Sequence, residues 1–322
     1  MRKNILRSVL GVFFLAAVGY AQSTNWLAMS PVDTGANPGA VVTGSVAEVQ
    51  AFFEERGWTD GLPIIPPSLE KVEKCLLCTP HAGSEKVYGD HTVYNVAANA
   101  IMAGCKPEHM PVCLAIVKAM NDPEVLEPLR SSHASTPYVW LNGPLSRQLM
   151  IDSQQGMISA KNNKALARFV NLALLNIAGI DMNATAGTFG SIPSFVFAED
   201  EEACRRVGWE PYHVQLGTNL NANTLTFSTA TCWGNNLTPA SPSLPDQTLT
   251  MMAWDITEKE DSGLGGGNSH CHRTVFISES IANVLVATNT YSTKAKVESA
   301  LRKQAQRSFS VLQFSNLLKI NK

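Results

Sequence analysis

From Ser45 onward, apolar positions recur mainly at helical spacing. Val46, Val49, Phe52 and Phe53 share one face of a helix that opens on Ser45-Val-Ala-Glu48. That tetrapeptide is a capping box, in which the serine oxygen and the glutamate satisfy orphan amides of the first turn. Gly57 is placed to end the helix, since glycine adopts positive φ freely. Ser68 stands at the N-cap of a second helix, with Leu69, Val72 and Leu76 inward. A third runs from about Thr92 to Met102 on Val93, Val96, Ala97, Ala100 and Ile101, stopping at Gly104. Pro107 opens a fourth, as proline is tolerated in a first turn. Val112, Ala115, Ile116 and Ala119 form its core face, and Asn121-Asp-Pro123 ends it. Ala165–Ile177 and two closing segments, near Ser280–Ala287 and Thr293–Arg307, complete the helical pattern.

Short apolar runs bounded by turn residues mark strands at Tyr138–Leu141, Ser194–Ala198, Thr224–Thr231 and Val275–Ile277. Asn142-Gly143-Pro144 closes the first of these. Asn235–Gln247 reads as a proline-rich loop, and Gly263–Gly267 as a glycine-rich turn. Helices and strands are mixed with no fixed-period repeat. The expected fold is therefore α/β (or α+β), a mixed sheet with flanking helices in a single large domain over residues 45–310, with 311–322 as a C-terminal tail.

The first residues follow another pattern. Arg2, Lys3 and Arg7 precede the apolar stretch Val9–Val18, and Gly19-Tyr20-Ala21 supplies small residues where a signal peptidase reads. This predicts a cleaved signal peptide over 1–21 and a secreted or periplasmic protein; the alternative is a membrane anchor formed by residues 8–21. Ser23–Thr43 is rich in Gly, Pro, Ser and Thr and lacks periodicity, so 22–44 reads as a linker, either a tether or an extended arm. Cleavage would remove three cationic side chains, taking the formal charge from −2 to −5. Such a chain gives no electrostatic reason to expect nucleic acid. The cationic cluster at Lys294–Arg307 reads as a solvated helix face. With 45% hydrophobic residues in 322, the core is large enough not to need disulfide staples. The cysteines number seven (Cys75, Cys78, Cys105, Cys113, Cys204, Cys232 and Cys271), and an odd count leaves at least one thiol free, metal-bound or paired elsewhere.

Chemistry-bearing residues fall in a few places. Gly57–Ser68, GWTDGLPIIPPS, holds two glycines, three prolines and one acid. Pro63, Pro66 and Pro67 fix φ and remove amide donors, so the loop is preorganised. It can present Asp60 as a carboxylate and Trp58 as a stacking face, or serve as a connector in which Asp60 bonds backbone amides. Cys105 lies between a helix end and the start of the next helix, with Lys106 beside it. The helix dipole and that charge both favour thiolate; the bland reading is a small buried residue at a tight turn. Cys75-x-x-Cys78 has redox spacing but lies late in a helix. His270-Cys271-His272 follows the glycine-rich turn, and on extended backbone His270 and His272 could share a divalent metal. Phe197–Glu202 carries an acidic run that suits a helix N-terminus. Trp209-Glu210-Pro211-Tyr212-His213 is a compact group able to line a pocket.

GWTDGLPIIPPS, together with NAIMAGCKPEHMPV at Asn99–Val112, resembles the UGSC (seleno)protein family, named for a Sec/Cys-Gly-Ser-Cys motif. The resemblance continues through WLNGP at Trp140–Pro144, FVFAEDEEA at Phe195–Ala203 and GWEPYHV at Gly208–Val214. It implies thiol or selenol chemistry on sulfur-containing small molecules. The chain has no Cys-Gly-Ser-Cys, so only this companion region matches, and Cys105 is the one thiol inside a matched motif.

The first functional expectation is a small-molecule enzyme, an oxidoreductase or lyase, using Cys105 in redox or carbon–sulfur chemistry. Asp60 and Glu210 would act as acid–base groups or anchors, and Trp58, Asn142, Trp209 and His213 would bind substrate. The second is a metal-dependent hydrolase or lyase built on His270 and His272. The third is a noncatalytic secreted protein holding a small ligand. No sequence feature fixes the substrate or the oligomeric state.

Overall fold

Two short strands, β1 (Trp26–Met29) and β2 (Val41–Gly44), pair antiparallel with Trp26 opposite Gly44. They open a computed structural model that describes residues 26–32, 41–130, 135–182, 184, 193–230, 244–260 and 274–305. Ala28 and Met29 are buried, and the Met29 amide donates to the Pro67 carbonyl at 3.1 Å. The described part of Ser23–Thr43 is thus an arm laid on the core rather than a free tether. Ala28 and Met29 supply the reason, because burying them outweighs the freedom of a polar linker.

α1 (Val46–Glu55) carries the expected capping box: the Glu48 amide donates to Ser45 Oγ, and the Ser45 amide to Glu48 Oε2 at 2.7 Å. It ends at Gly57, whose φ is +66°. α2 (Leu69–Leu76) buries Val72 and Cys75. A small hairpin of β3 (Lys86–Tyr88) and β4 (His91–Thr92) leads into α3 (Val93–Ala103). All but one residue of α3 is buried, which suits a helix apolar nearly all round. Gly104 ends it at φ +89°. A 3-10 turn at Pro107–His109 then opens α4 (Met110–Ala119), followed by the short α5 (Pro123–Leu126).

The main sheet is built from β5 (Thr136–Asn142), β6 (Phe195–Ala198) and β7 (Thr224–Ala230), in the order β6-β5-β7. β5 and β6 run parallel, with Trp140 opposite Phe197, while β7 is antiparallel to β5. The sheet is therefore mixed, with helices around it, as the pattern predicts. Between β5 and β6 lie α6 (Pro144–Gln148) and α7 (Lys161–Asn176), and between β6 and β7 lie α8 (Glu201–Val207) and α9 (Tyr212–Gln215). Alternation sends Val139, Leu141, Val196 and Ala198 to the large core shared with α3, α4 and α7. Tyr138, Trp140, Phe195 and Phe197 point the other way, where their rings stack (Tyr138–Phe195 centroids 5.4 Å) and Phe276 meets Phe197 edge-on at 4.8 Å. Strands covered on both faces read as unbroken apolar runs, which is why YVWL and FVFA lack alternation.

A second core joins α8 to α10 (Pro245–Glu260), α11 (Glu279–Val286) and α12 (residues 294–305). α10 escapes the pattern reading, although Leu249, Met252 and Ala253 are buried at i, i+3 and i+4. Its first residue is Pro245, a proline that a loop reading absorbs and that a helix N-terminus accepts equally. Val275–Ile277, expected as a strand, forms none. Phe276 serves the aromatic face instead. Among the described residues, no helix is long and apolar enough to cross a membrane.

Candidate functional site

The loop Gly57–Ser68 is pinned from both ends. Ile64 donates its amide to Gln50 Oε1 at 2.9 Å, and Ile65 to the Met102 carbonyl at 3.4 Å. Trp58 packs edge-on against Phe53 at 5.3 Å between ring centroids, and its carbonyl accepts from Asn176 Nδ2 at 3.0 Å. Asn176 also donates to Asn99 Oδ1 at 2.7 Å, and Asn99 donates in turn to the Pro31 carbonyl. This buried asparagine relay ties the arm, the loop, α3 and α7 together.

Asp60 is the centre of the loop's electrostatics. Arg168 on α7 grips it bidentately, Nε to Oδ2 at 2.9 Å and Nη2 to Oδ1 at 2.8 Å, and Nη2 also reaches the Leu62 carbonyl. Burial pushes the Asp60 carboxyl up, but the Arg168 guanidinium and the Leu62 amide overcome this and hold it below its ordinary value. Two Arg168 nitrogens and the Leu62 amide thus occupy three of its four acceptor positions. Asp60 therefore pins the loop to α7. Trp58 is partly buried, its ring packed against the core and its carbonyl bonded to Asn176.

The loop still borders chemistry, because a Cβ on Gly104 would lie 3.8 Å from Ile65 Cδ1, and the next residue is Cys105. The Cys105 amide donates to the Ala100 carbonyl, fixing the turn beyond α3. Its partly exposed side chain faces two groups from the following helical segment, His109 and Cys113. Cys105 lies ahead of the helical segment, next to the extended Lys106, and the turn beyond Gly104 brings it to the face on which His109 and Cys113 stand four residues apart. The His109 ring is fully buried. Its Nδ1 accepts from the Lys106 amide at 3.3 Å, so in the neutral ring the proton sits on Nε2. Nε2 is sealed from solvent without a conventional hydrogen-bond partner, and the Cys105 sulfur is within its electrostatic reach. Burial pushes the Cys105 thiol up, but the neighbouring Cys113 thiol and His109 ring prevail, bringing it down to about 7. Cys113, buried beside it, is pushed well above its ordinary value by burial and by Cys105. Burial, helped by Cys78, Cys105 and Glu108, raises Cys75 to about 12. One acidic thiol thus stands among reluctant ones.

Asn142 lies elsewhere, at the end of β5. Its Nδ2 donates to Glu199 Oε2 at 2.5 Å, while Glu201 Oε1 accepts the Gly143 amide at 2.6 Å. Glu199 also takes the Tyr212 amide at 2.7 Å, the Cys204 thiol at 3.4 Å and the Lys294 ammonium. Burial raises the Glu199 carboxyl, but Lys294, the Tyr212 amide and Asn142 bring it below the usual range. Cys204 is raised to about 12 by burial and the Glu199 charge. His213 is buried against Glu201, Nδ1 to Oε1 3.6 Å. Gly143 permits this close assembly: at φ +97° a Cβ would come within 2.3 Å of the Ala222 carbonyl oxygen.

Among the described residues, no hydrogen bond or ion pair joins Asp60, Cys105 and Asn142, so the three expected together belong to separate environments. Trp209 is a core residue of the α8–α12 cluster, donating Nε1–H to the Tyr291 carbonyl, and Glu210 is exposed. Neither lines a site with Cys105. His270 and His272 lie outside the described residues. Lys294, expected on a solvated face, is instead the counter-ion of Glu199. His109 and Cys113 were missed as partners of Cys105, although their four-residue spacing is visible in CKPEHMPVC.

No family model, curated protein or solved structure matches the chain.

Proposed function

We propose that the protein is a thiol enzyme acting on a small molecule, with Cys105 as the reacting group. The observation that carries this reading is the buried His109, whose Nε2–H has no conventional acceptor and lies within reach of the Cys105 sulfur. Because Nδ1 is occupied by the Lys106 amide, His109 is a donor that stabilises thiolate, not a base that removes the proton. A thiol held near 7 is about half ionised at neutral pH and remains strongly nucleophilic.

Cys113 favours redox chemistry over carbon–sulfur cleavage. The Cys105 thiolate attacks one sulfur of a disulfide substrate, forming a mixed disulfide and expelling the other half as thiolate. Cys113 then gives up its proton to that leaving thiolate or to solvent and attacks Cys105. The products are a Cys105–Cys113 disulfide and the second half as thiol, so two electrons pass from the protein to the substrate. An external thiol reductant regenerates the pair. The motif likeness to the UGSC (seleno)protein family supports the same reading, since Cys105 lies inside a shared motif. The metal-dependent alternative retains only His270 and His272, and among the described residues no group of three His, Cys, Asp or Glu could hold a metal.

Mapping of iodoacetamide adducts by mass spectrometry tests the proposal. Cys105 should be modified first, with a pH midpoint near 7, and Cys105→Ser should abolish reduction of a small aromatic disulfide. Slow modification of Cys105 with a midpoint near 9, or full activity in Cys105→Ser, would refute it.

A further inference from the structure

α4 carries a second set of reactive side chains that the Cys105 chemistry does not use. Pro111, Leu114, Ala115 and Lys118 are spaced by three, one and three residues, so they share one side of the helix, a side that excludes Cys113. With Thr79, Pro80 and His81, from the segment between α2 and β3, they wall a cavity of about 180 Å³. That segment is fixed by the main chain. The carbonyls of Gly83 and Glu85 accept the amides of Tyr94 and Val93, each at 3.0 Å. A Cβ on Gly83 would come within 2.4 Å of the Tyr94 ring, so only glycine lets the turn lie this close to the start of α3.

The turn places His81 between two charged groups. Its Nδ1 lies 2.9 and 3.0 Å from the two Glu85 oxygens, and its Nε2 lies 3.2 Å from Lys118 Nζ. A carboxylate only accepts, so Nδ1 carries a hydrogen. Nε2 and Nζ then share one mobile proton. Either the ammonium donates to the imidazole lone pair, or an imidazolium donates to the free amine. The Glu85 charge favours the second form, in which the amine is a nucleophile. Lys74 and Lys86 show the contrast: they meet the Glu70 and Asp90 carboxylates at 2.6 Å, partners that hold the proton on the ammonium. A nucleophile within reach of a base, with the base oriented by a third group, is the arrangement that covalent catalysis uses.

We propose that Lys118 forms a Schiff base with a small aliphatic aldehyde, with His81 carrying the protons and Glu85 holding His81 in place. The ammonium passes a proton to His81 Nε2, and the freed lone pair bonds to the carbonyl carbon while the C=O pair moves to oxygen. His81 returns the proton to that oxygen, takes one from the nitrogen and delivers it to the hydroxyl, which leaves as water. One C=O is exchanged for one C=N. The protonated imine keeps the charge of the ammonium, and no oxidant or reductant enters. Thr79 Oγ1 accepts the His81 amide at 3.2 Å, which leaves its hydroxyl hydrogen to donate to the carbonyl oxygen. Pro80, Pro111, Leu114 and Ala115 suit a short alkyl chain, and the volume is close to that of a cavity of about 150 Å³ that holds benzene. Cys105 takes no part, so this site stands or falls independently of the thiol reaction.

The test is reductive labelling of the full chain with butanal and cyanoborohydride at neutral pH, with the modified lysines mapped by mass spectrometry. The expected result is butylation of Lys118 about tenfold faster than of Lys74 or Lys86, which are also exposed, and loss of that advantage in His81→Gln. Ala115→Phe, which fills the cavity, should slow butanal at Lys118 and leave labelling by formaldehyde, which has no chain to accommodate, unchanged. Lys118 reacting no faster than Lys74, a rate unmoved by His81→Gln, or undiminished butanal labelling in Ala115→Phe would overturn the proposal.

Discussion

The turn around Cys105 and the cluster around Glu199 both bury ionisable groups, but they are assembled in opposite ways. Cys105, His109 and Cys113 come from nine consecutive residues, and one turn with the helical segment after it sets their mutual geometry. Asn142, Glu199, Tyr212 and Lys294 come from a strand end, a strand-to-helix junction, a short helix and the last described helix. A local site needs only its own segment to fold correctly. A dispersed site requires every contributing element to arrive, and it consequently reports on the integrity of the whole half of the molecule around it.

That contrast can be broken most sharply at Gly143. Gly143→Ala would drive a Cβ to 2.3 Å from the Ala222 carbonyl at a φ of +97°. Overpacking and backbone strain together should cost about 3–5 kcal/mol. Chemical denaturation should show the loss, and a variant as stable as the parent would mean that the strand-end cluster is looser than described.

Removal of one ion from the dispersed site comes next. Lys294→Met strands a mostly buried Glu199 and should destabilise the fold by about 2–4 kcal/mol at neutral pH. Glu199 has a folded pKa below its unfolded value of about 4.3. Its contribution is therefore fully present above that value and is lost as pH falls through the depressed folded value. Parent and variant should accordingly converge in stability as the solution is acidified. Denaturant midpoints measured from pH 7 down to pH 3 check this, and a gap that widens in acid would contradict the ion pair.

The local site should respond in reactivity rather than stability. His109→Ala removes the donor to the Cys105 thiolate and should slow alkylation of Cys105 at pH 7 by about tenfold, with the pH midpoint moving up. An unchanged rate would show that Cys113 alone sets the thiol's acidity. The smallest effect is expected at Glu210, which is exposed. Glu210→Gln should leave stability within about 0.5 kcal/mol and alkylation of Cys105 unaltered.

The same contrast explains what was legible beforehand. Helices with strong periodicity and clear caps, such as α1 with its Ser45–Glu48 box and α3 ending at Gly104, could be read with little error. So could β5 and β6, whose apolar runs are short and bounded. α10 was hidden because Pro239, Pro242 and Pro245 look like one loop, and only tertiary packing shows that the last proline starts a helix. Cys105 stood out through its neighbours in the chain. Asp60 also stood out, but Arg168 is far away in sequence, and nothing local says that a carboxylate will be claimed by it. Glu199, Glu201 and Lys294 escaped for the same reason: an acidic run and a basic helix each have an ordinary surface reading until the fold brings them together.

The arm at Trp26–Met29 has a consequence for where this protein can be shortened. The capping box at Ser45 is an inviting starting point for a trimmed chain, since everything before it looks dispensable. A chain begun there would lose β1 and β2, uncover the seat of Met29 and take away the Pro31 carbonyl that terminates the Asn176–Asn99 relay. Two asparagines chosen for a buried, fully bonded setting would then meet water or each other in new rotamers, and the GWTDGLPIIPPS loop would lose the strand that presses on its far end. A start between residues 22 and 25 keeps the arm whole.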